Sequence, residues 1–367
     1  MVIECDLFFL QKYVSLWYRY VLLTKTENRH MAAEGISEVR QRSYALDVLR
    51  GVAILIVVLA HAMQVSLQPG EESIIWMRFI RPFQMPLLFL VSGWALAFSY
   101  PARSQSVFLV KKVQRLFVPY VAWMLVTYAM DIYVHGTNTF SAALLWDEFW
   151  TSEFWFLRAL FLMYLVVWLG TFAHEKWFSS RKWFPVLAVI LGLVVVLLLR
   201  KIDMLRPTAN GWFYQWFLTG YLAHVVVKAK GDKIAAFMAR YGVKMACGCA
   251  GLLALMIALV YMWDLSQNLV AYLTIPAICM VVVGLVRFLP VWLCECFKHW
   301  GMISLAIYAI HHCLFMWTGK SLAAACPEWA YGLRVVLLTV AWMAGCELLN
   351  WLFKQTRLTR MLMLGEK

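Results

Sequence analysis

Ten apolar windows recur along the 367 residues, at roughly 46–66, 79–99, 116–134, 153–173, 183–200, 211–228, 245–262, 269–287, 302–319 and 331–353. Each approaches the roughly 20 residues that a helix needs to cross about 30 Å of hydrocarbon. A chain cut into such lengths has no route to a single aqueous core. With 63% apolar and 14% charged residues and a mean hydropathy of +0.71, it belongs in a bilayer. Lipid supplies no partner for a backbone N–H or C=O, so each span must satisfy its own hydrogen bonds as a helix. The expected fold is an all-α integral membrane protein, a bundle of about ten transmembrane helices. No internal repeat is visible, and the connections are too short to hold a soluble domain. We expect an N-terminal cytoplasmic or interfacial segment over 1–43, one ten-helix domain over 44–353 and a basic cytoplasmic tail over 354–367.

The formal charge of +13 raises the question of nucleic acid. The bases, however, sit between the apolar runs rather than among aromatics, which is a topology signal. Of the 33 Lys and Arg, 24 fall in the two tails and alternate connections, six fall in the intervening loops, and Arg50, Arg158 and Arg334 lie in or at the ends of spans. The positive-inside rule then places both termini in the cytoplasm. The nine cysteines form no CxxC pair and no Cys/His spacing for zinc. Cys247, Cys249, Cys279, Cys313 and Cys346 read as small core residues, and no metal is implied. Residues 1–30 mix Phe8, Phe9, Trp17 and Tyr18 with Lys12, Arg19 and Lys25, unlike a cleavable signal peptide. An interfacial helix and an over-extended start ahead of Met31 are the two readings, and N-terminal mass spectrometry separates them.

Ionisable groups deep in spans are costly and therefore informative. The first window reads LDVLRGVAILIVVLAH. Eleven helical steps bring Arg50 and His61 to one face, about 16 Å apart. Asp47 can pair with Arg50 or cap the helix. A neutral imidazole takes a proton near physiological pH, so His61 is the best general base available, against the plainer reading of a satisfied core histidine. In FQMPLLFLVSGW, Pro86 should kink the second span, and Ser92-Gly93 permits close approach of a backbone or a ligand. KKVQRLFVPY places Lys111, Lys112 and Arg115 at the cytoplasmic interface, as ordinary inside charge or as partners for phosphates. EFWFLRALFLMY sets Glu153 and Trp155 near the outer face and Arg158 one turn further in, where a pair with Glu153 is open to it. In WGMISLAIYAIHH, Ser304, Tyr308 and His311 or His312 fall on one polar stripe. Glu347 and Asn350 read as a helix-packing pair.

Taken in order, these five segments resemble the acyltransferase family 3 membrane proteins over about residues 44–350. The first-span arginine and histidine separated by ten residues, the Met-Pro and Ser-Gly second span, the basic segment before the third span, the Trp-Phe-Leu segment, and the Gly-x-x-Ser with Tyr-x-x-His all have counterparts. Gln84 and Leu305 depart from the pattern, and no hydrolase-like domain follows, so the chain is similar to the stand-alone form. The resemblance implies an O-acyltransferase that moves an acyl group, in the first instance acetyl, from cytoplasmic acyl-CoA to a hydroxyl of a glycan or glycolipid. It implies a bacterial cytoplasmic membrane, no metal and no nucleic-acid partner. His61 would be the base and Arg50 the donor's anchor. Asp47, Ser92, Lys111, Lys112, Arg115, Trp155, Arg158, Tyr308 and His311 are candidates for binding donor or acceptor. Buried His and Arg also serve proton relays, so a flippase or transporter of a lipid-linked sugar stands as the alternative.

Overall fold

A computed structural model describes residues 44–67, 73–99, 105–133, 140–177, 183–206, 208–325 and 330–366. The expectations for 1–43, including the choice between Met1 and Met31, lie outside them. The described residues form thirteen helices: α1 Tyr44–Val65, α2 Ile75–Leu96, α3 Gln105–Tyr133, α4 Ala142–Thr151, α5 Trp155–Trp177, α6 Phe184–Leu199, α7 Gly211–Ala229, α8 Gly231–Met262, α9 Gln267–Leu285, α10 Val291–Met302, α11 Ser304–Ala325, α12 Tyr331–Phe353 and α13 Arg357–Leu364. Each apolar window falls mainly on one helix, that over 302–319 on α11. Among the described residues, seven helices are long and apolar enough to cross a membrane, or eight if α10 and α11, bent by 80° at Ile303, form one span. The shorter α6 is a further apolar helix of 16 residues. The protein is a multi-pass, all-helical membrane protein.

Helix α1 is central and packs on α2, α10, α11 and α12. Two backbone-to-backbone contacts set its angle to α10. A Cβ on Gly51 would stand 1.8 Å from the Phe297 carbonyl oxygen, and one on Gly301 1.8 Å from that of Asp47. The same device joins α2 to α7: Gly93 abuts the Phe217 carbonyl and Gly220 that of Leu90, each again at 1.8 Å for an added Cβ. Without a hydrophobic drive between helices in lipid, such small-residue contacts supply the packing. The Ser92-Gly93 step thus admits a neighbouring backbone. Gly220→Ala is expected to destabilise the bundle by about 1–3 kcal/mol or more, since rigid backbone must move; a lowered melting temperature in detergent checks it.

Two prolines mark where helices widen. Pro82 and Pro119 cannot donate to the carbonyls of Arg78 and Arg115, and their rings crowd them. In each case a π turn comes just before, Ile75–Ile80 and Val113–Phe117. Pro86 lies inside α2.

One expectation needs correction. Of the cysteines read as core, Cys313 and Cys346 are buried, but Cys247 is exposed and Cys249 and Cys279 are only partly covered; an apolar run fixes no direction on a helix that faces lipid. Within the segment expected as the C-terminal tail, Arg357–Leu364 forms α13, packed on α3, with Leu364 buried.

Candidate active site

One largely buried polar cluster is built from three imidazoles. His61 on α1 lies 5.1 Å from His311 and 5.9 Å from His312, ring centre to ring centre, and 5.0 Å from Phe315. His311 is wholly buried and His312 is 5% exposed. The Nδ1 atoms of His61 and His311 stand 2.9 and 2.7 Å from the carbonyls of Val57 and Ile307, each one turn back on its own helix. A carbonyl only accepts, so this pattern assigns the proton to Nδ1 and leaves Nε2 as the basic atom on both rings. The Nε2 atoms of His311 and His312 are buried with no hydrogen-bond partner among the described residues. Side chains that carry such a cost are candidates for chemistry. Among the described residues no group of three His, Cys, Asp or Glu is disposed to hold a metal ion.

One face of α1 also leads from His61 to Arg50, which pairs with the buried Asp47 at 3.9 Å. Arg115, Arg50 and Lys111, in that order, lie within electrostatic reach of Lys112, and Arg50 and Arg115 within reach of Tyr164. Lys112 is tucked over the Tyr164 ring, Nζ 3.7 Å from its centre, with Phe108 at 5.3 Å, a cation–π seat. The Tyr164 hydroxyl donates to the Ser92 carbonyl at 3.3 Å. Ser92 therefore enters through its backbone, and Tyr164 ties the second-span motif to the basic segment. Lys111 and Arg115 are exposed beside Lys112. Arg50, Lys111, Lys112 and Arg115 thus gather in one region, with Asp47 paired to Arg50, an arrangement suited to a polyanion.

The Trp-Phe-Leu segment packs among the neighbouring helices. The Ser141 carbonyl accepts from Tyr128, and the Phe149 carbonyl from Tyr120, one helical stretch back along α3. Helix α4 therefore returns along α3 and delivers the next residues to the middle of neighbouring helices. Phe154, 0% exposed, packs against His312 at 5.3 Å, and Trp155 packs on Phe89 and Phe213. Tyr308 touches Phe156 and His311, and its hydroxyl donates to the Glu153 carbonyl at 3.4 Å. Hydropathy reports that a segment is apolar, not how deep it lies, so neither this return nor the roles of Phe154 and His312 could be read from it.

Arg158 is 5% exposed, and its hydrogen bonds go to Thr208 (2.6 Å), Tyr120 (3.0 Å) and the Phe149 carbonyl (2.8 Å) rather than to Glu153. It clamps α3, α4 and α5 together. Arg158→Met should lower stability by about 3 kcal/mol by orphaning those partners, read as a melting shift. Arg334, missed as a functional candidate, is 5% exposed and donates to the Ser66 carbonyl at 2.8 Å, at the end of α1. Glu347 pairs with His299 of α10 at 3.1 Å rather than with Asn350.

The structure thus brings His61, His311 and Tyr308 to one region, with Trp155 linked to it through Phe89 and Phe156, and Arg50, Asp47, Ser92, Lys111, Lys112 and Arg115 to another along α1. Arg158 stands apart as a clamp. A family model described as an acyltransferase domain matches residues 43–351. No curated protein matches the chain.

Proposed function

Because the chain belongs to the acyltransferase family 3 of membrane proteins, we propose that it transfers an acyl group, acetyl in the first instance, from cytoplasmic acyl-CoA to a hydroxyl of a cell-envelope or extracellular glycan. The membrane proposed is the bacterial cytoplasmic membrane, crossed ten times with both termini inside. The observation that carries the reading is one helix, α1, that joins a basic cluster suited to phosphates to a half-buried imidazole with its Nε2 set as a base.

In this reading Arg50, Lys112 and Arg115 hold the phosphates of the donor, and Lys111 adds to the entrance field. Asp47 orients Arg50, and Ser92 and Tyr164 hold Lys112 in place. The acyl thioester extends along α1 toward His61. His61 Nε2 takes the proton of the acceptor hydroxyl as its oxygen bonds to the acyl carbonyl carbon. The C–S bond breaks, and His61 returns the proton to the CoA thiolate, so the products are the O-acyl glycan and CoA-SH. His311 and Tyr308 border the imidazole, while Trp155 and Phe154 form the wall against which an acceptor sugar packs.

The test is transfer of label from acetyl-[14C]-CoA to the glycan fraction by membranes that carry the protein. Label in glycan that depends on His61 supports the proposal. Movement of a lipid-linked sugar across vesicles without consumption of acyl-CoA would establish the transporter instead.

A further inference from the structure

The segment after α12 ends on the basic turn proposed to hold the donor, and it lies beyond the residues that the family model matches. Helix α13 begins at the Thr356 cap, whose hydroxyl accepts from the Thr359 N–H at 3.1 Å, and stops at Gly365. Gly365 is the one residue with positive φ among those described, at +67°, as a helix-ending glycine requires. Its position is tighter than its dihedral alone demands. A Cβ there would stand 2.7 Å from the Gln114 carbonyl oxygen, 2.8 Å from Arg115 Cα and 3.0 Å from the Arg115 carbonyl oxygen.

These are the carbonyls of the π turn Val113–Phe117, where Val118 N–H bonds to Val113. Pro119 cannot supply the α-helical bond that Arg115 C=O would otherwise accept. A π turn is a local departure that needs support from its surroundings. The support comes from this segment: Gly365 closes against the opened backbone, Leu364 is 5% exposed, and the Trp123 indole N–H donates to the Met363 carbonyl at 2.9 Å. Lys354 and Glu366, 3.7 Å apart, fasten the two ends of the segment to each other.

We propose that residues 354–366 are a positioning element for the donor site, holding the π turn in the register that aims Arg115 and Lys112 at the donor's phosphates. The segment touches no substrate; it acts through the backbone of Gln114 and Arg115. The inference rests on the donor site proposed above. It predicts a defect in donor binding with the chemical step preserved, which general loss of packing would not produce.

The experiment measures the Kd for acetyl-CoA and the rate of CoA release at saturating acetyl-CoA, with water standing in for the acceptor hydroxyl so that the products are acetate and CoA-SH, in the full-length protein in nanodiscs. Gly365→Val should raise Kd roughly tenfold, and the rate at saturation should stay within about twofold of wild type. Trp123→Phe, which keeps the ring and removes the indole donor, should raise Kd by a smaller factor. If Gly365→Val does not fold, removal of residues 355–367 decides, with the same expected split. Wild-type Kd in the variant that decides overturns the proposal, as does a loss of rate at unchanged Kd. Arg115→Gln separates the two ideas: if it leaves Kd unchanged the donor site itself is misassigned, whereas a raised Kd in Arg115→Gln with wild-type Kd in Gly365→Val sinks this inference alone.

Discussion

Replacing His61 by alanine is expected to lower CoA release at saturating acetyl-CoA by about 10²–10⁴-fold, the range supplied by a positioned general base. Donor affinity should stay within about twofold, because the phosphate cluster lies roughly 16 Å away along the same helix. The alternative explanation is collapse of packing, since His61 touches His311, His312 and Phe315. His61→Gln separates the two. Glutamine fills much of the space and can donate to the Val57 carbonyl, yet it cannot take a proton. It should melt close to wild type and be as inactive as alanine. A well-folded His61→Gln protein with wild-type turnover would remove the imidazole from the mechanism.

Arg50→Ala carries the second large effect, a rise of about 10- to 100-fold in the Kd for acetyl-CoA, from charge-assisted hydrogen bonds of about 1.5–3 kcal/mol. Lys111 and Arg115 are exposed, so the affinity should also weaken as salt rises. Removing Arg50 takes a partner from Asp47, which is 3% exposed, and stability can fall for that reason. Asp47→Asn with Arg50→Ala removes both charges together. This double variant should recover stability and keep the weakened binding. Full recovery of affinity would mean that Arg50 acts only by balancing Asp47.

Much of this architecture is legible in the sequence because hydropathy and helical period are local. The windows find the helices, and the spacing of Arg50 and His61 places them on one face before any neighbour is known. What the sequence hides is depth and return. The run after Trp146 is apolar whether it rims the bundle or, as the structure has it, carries Phe154 to His312. His312 could not be preferred over His311, because adjacent helical positions part by about 100° and only the location of α1 decides which ring is used. Both prove to border His61. Lys112 reads as inside charge until Tyr164 is found beneath it, and Arg158 as a partner open to Glu153 until Thr208, fifty residues on, takes its bond. The segment 354–367 looks solvated by composition. Its docking depends on a backbone opened by Pro119, which no pattern within the segment discloses.

The most direct test is saturable binding of acetyl-CoA to the purified protein in nanodiscs, with wild type, Arg50→Ala and His61→Ala compared side by side. Saturable binding that weakens in Arg50→Ala and persists in His61→Ala is the predicted result. Failure of a well-folded wild-type sample to bind acetyl-CoA or succinyl-CoA would contradict the account and leave the basic cluster without its donor.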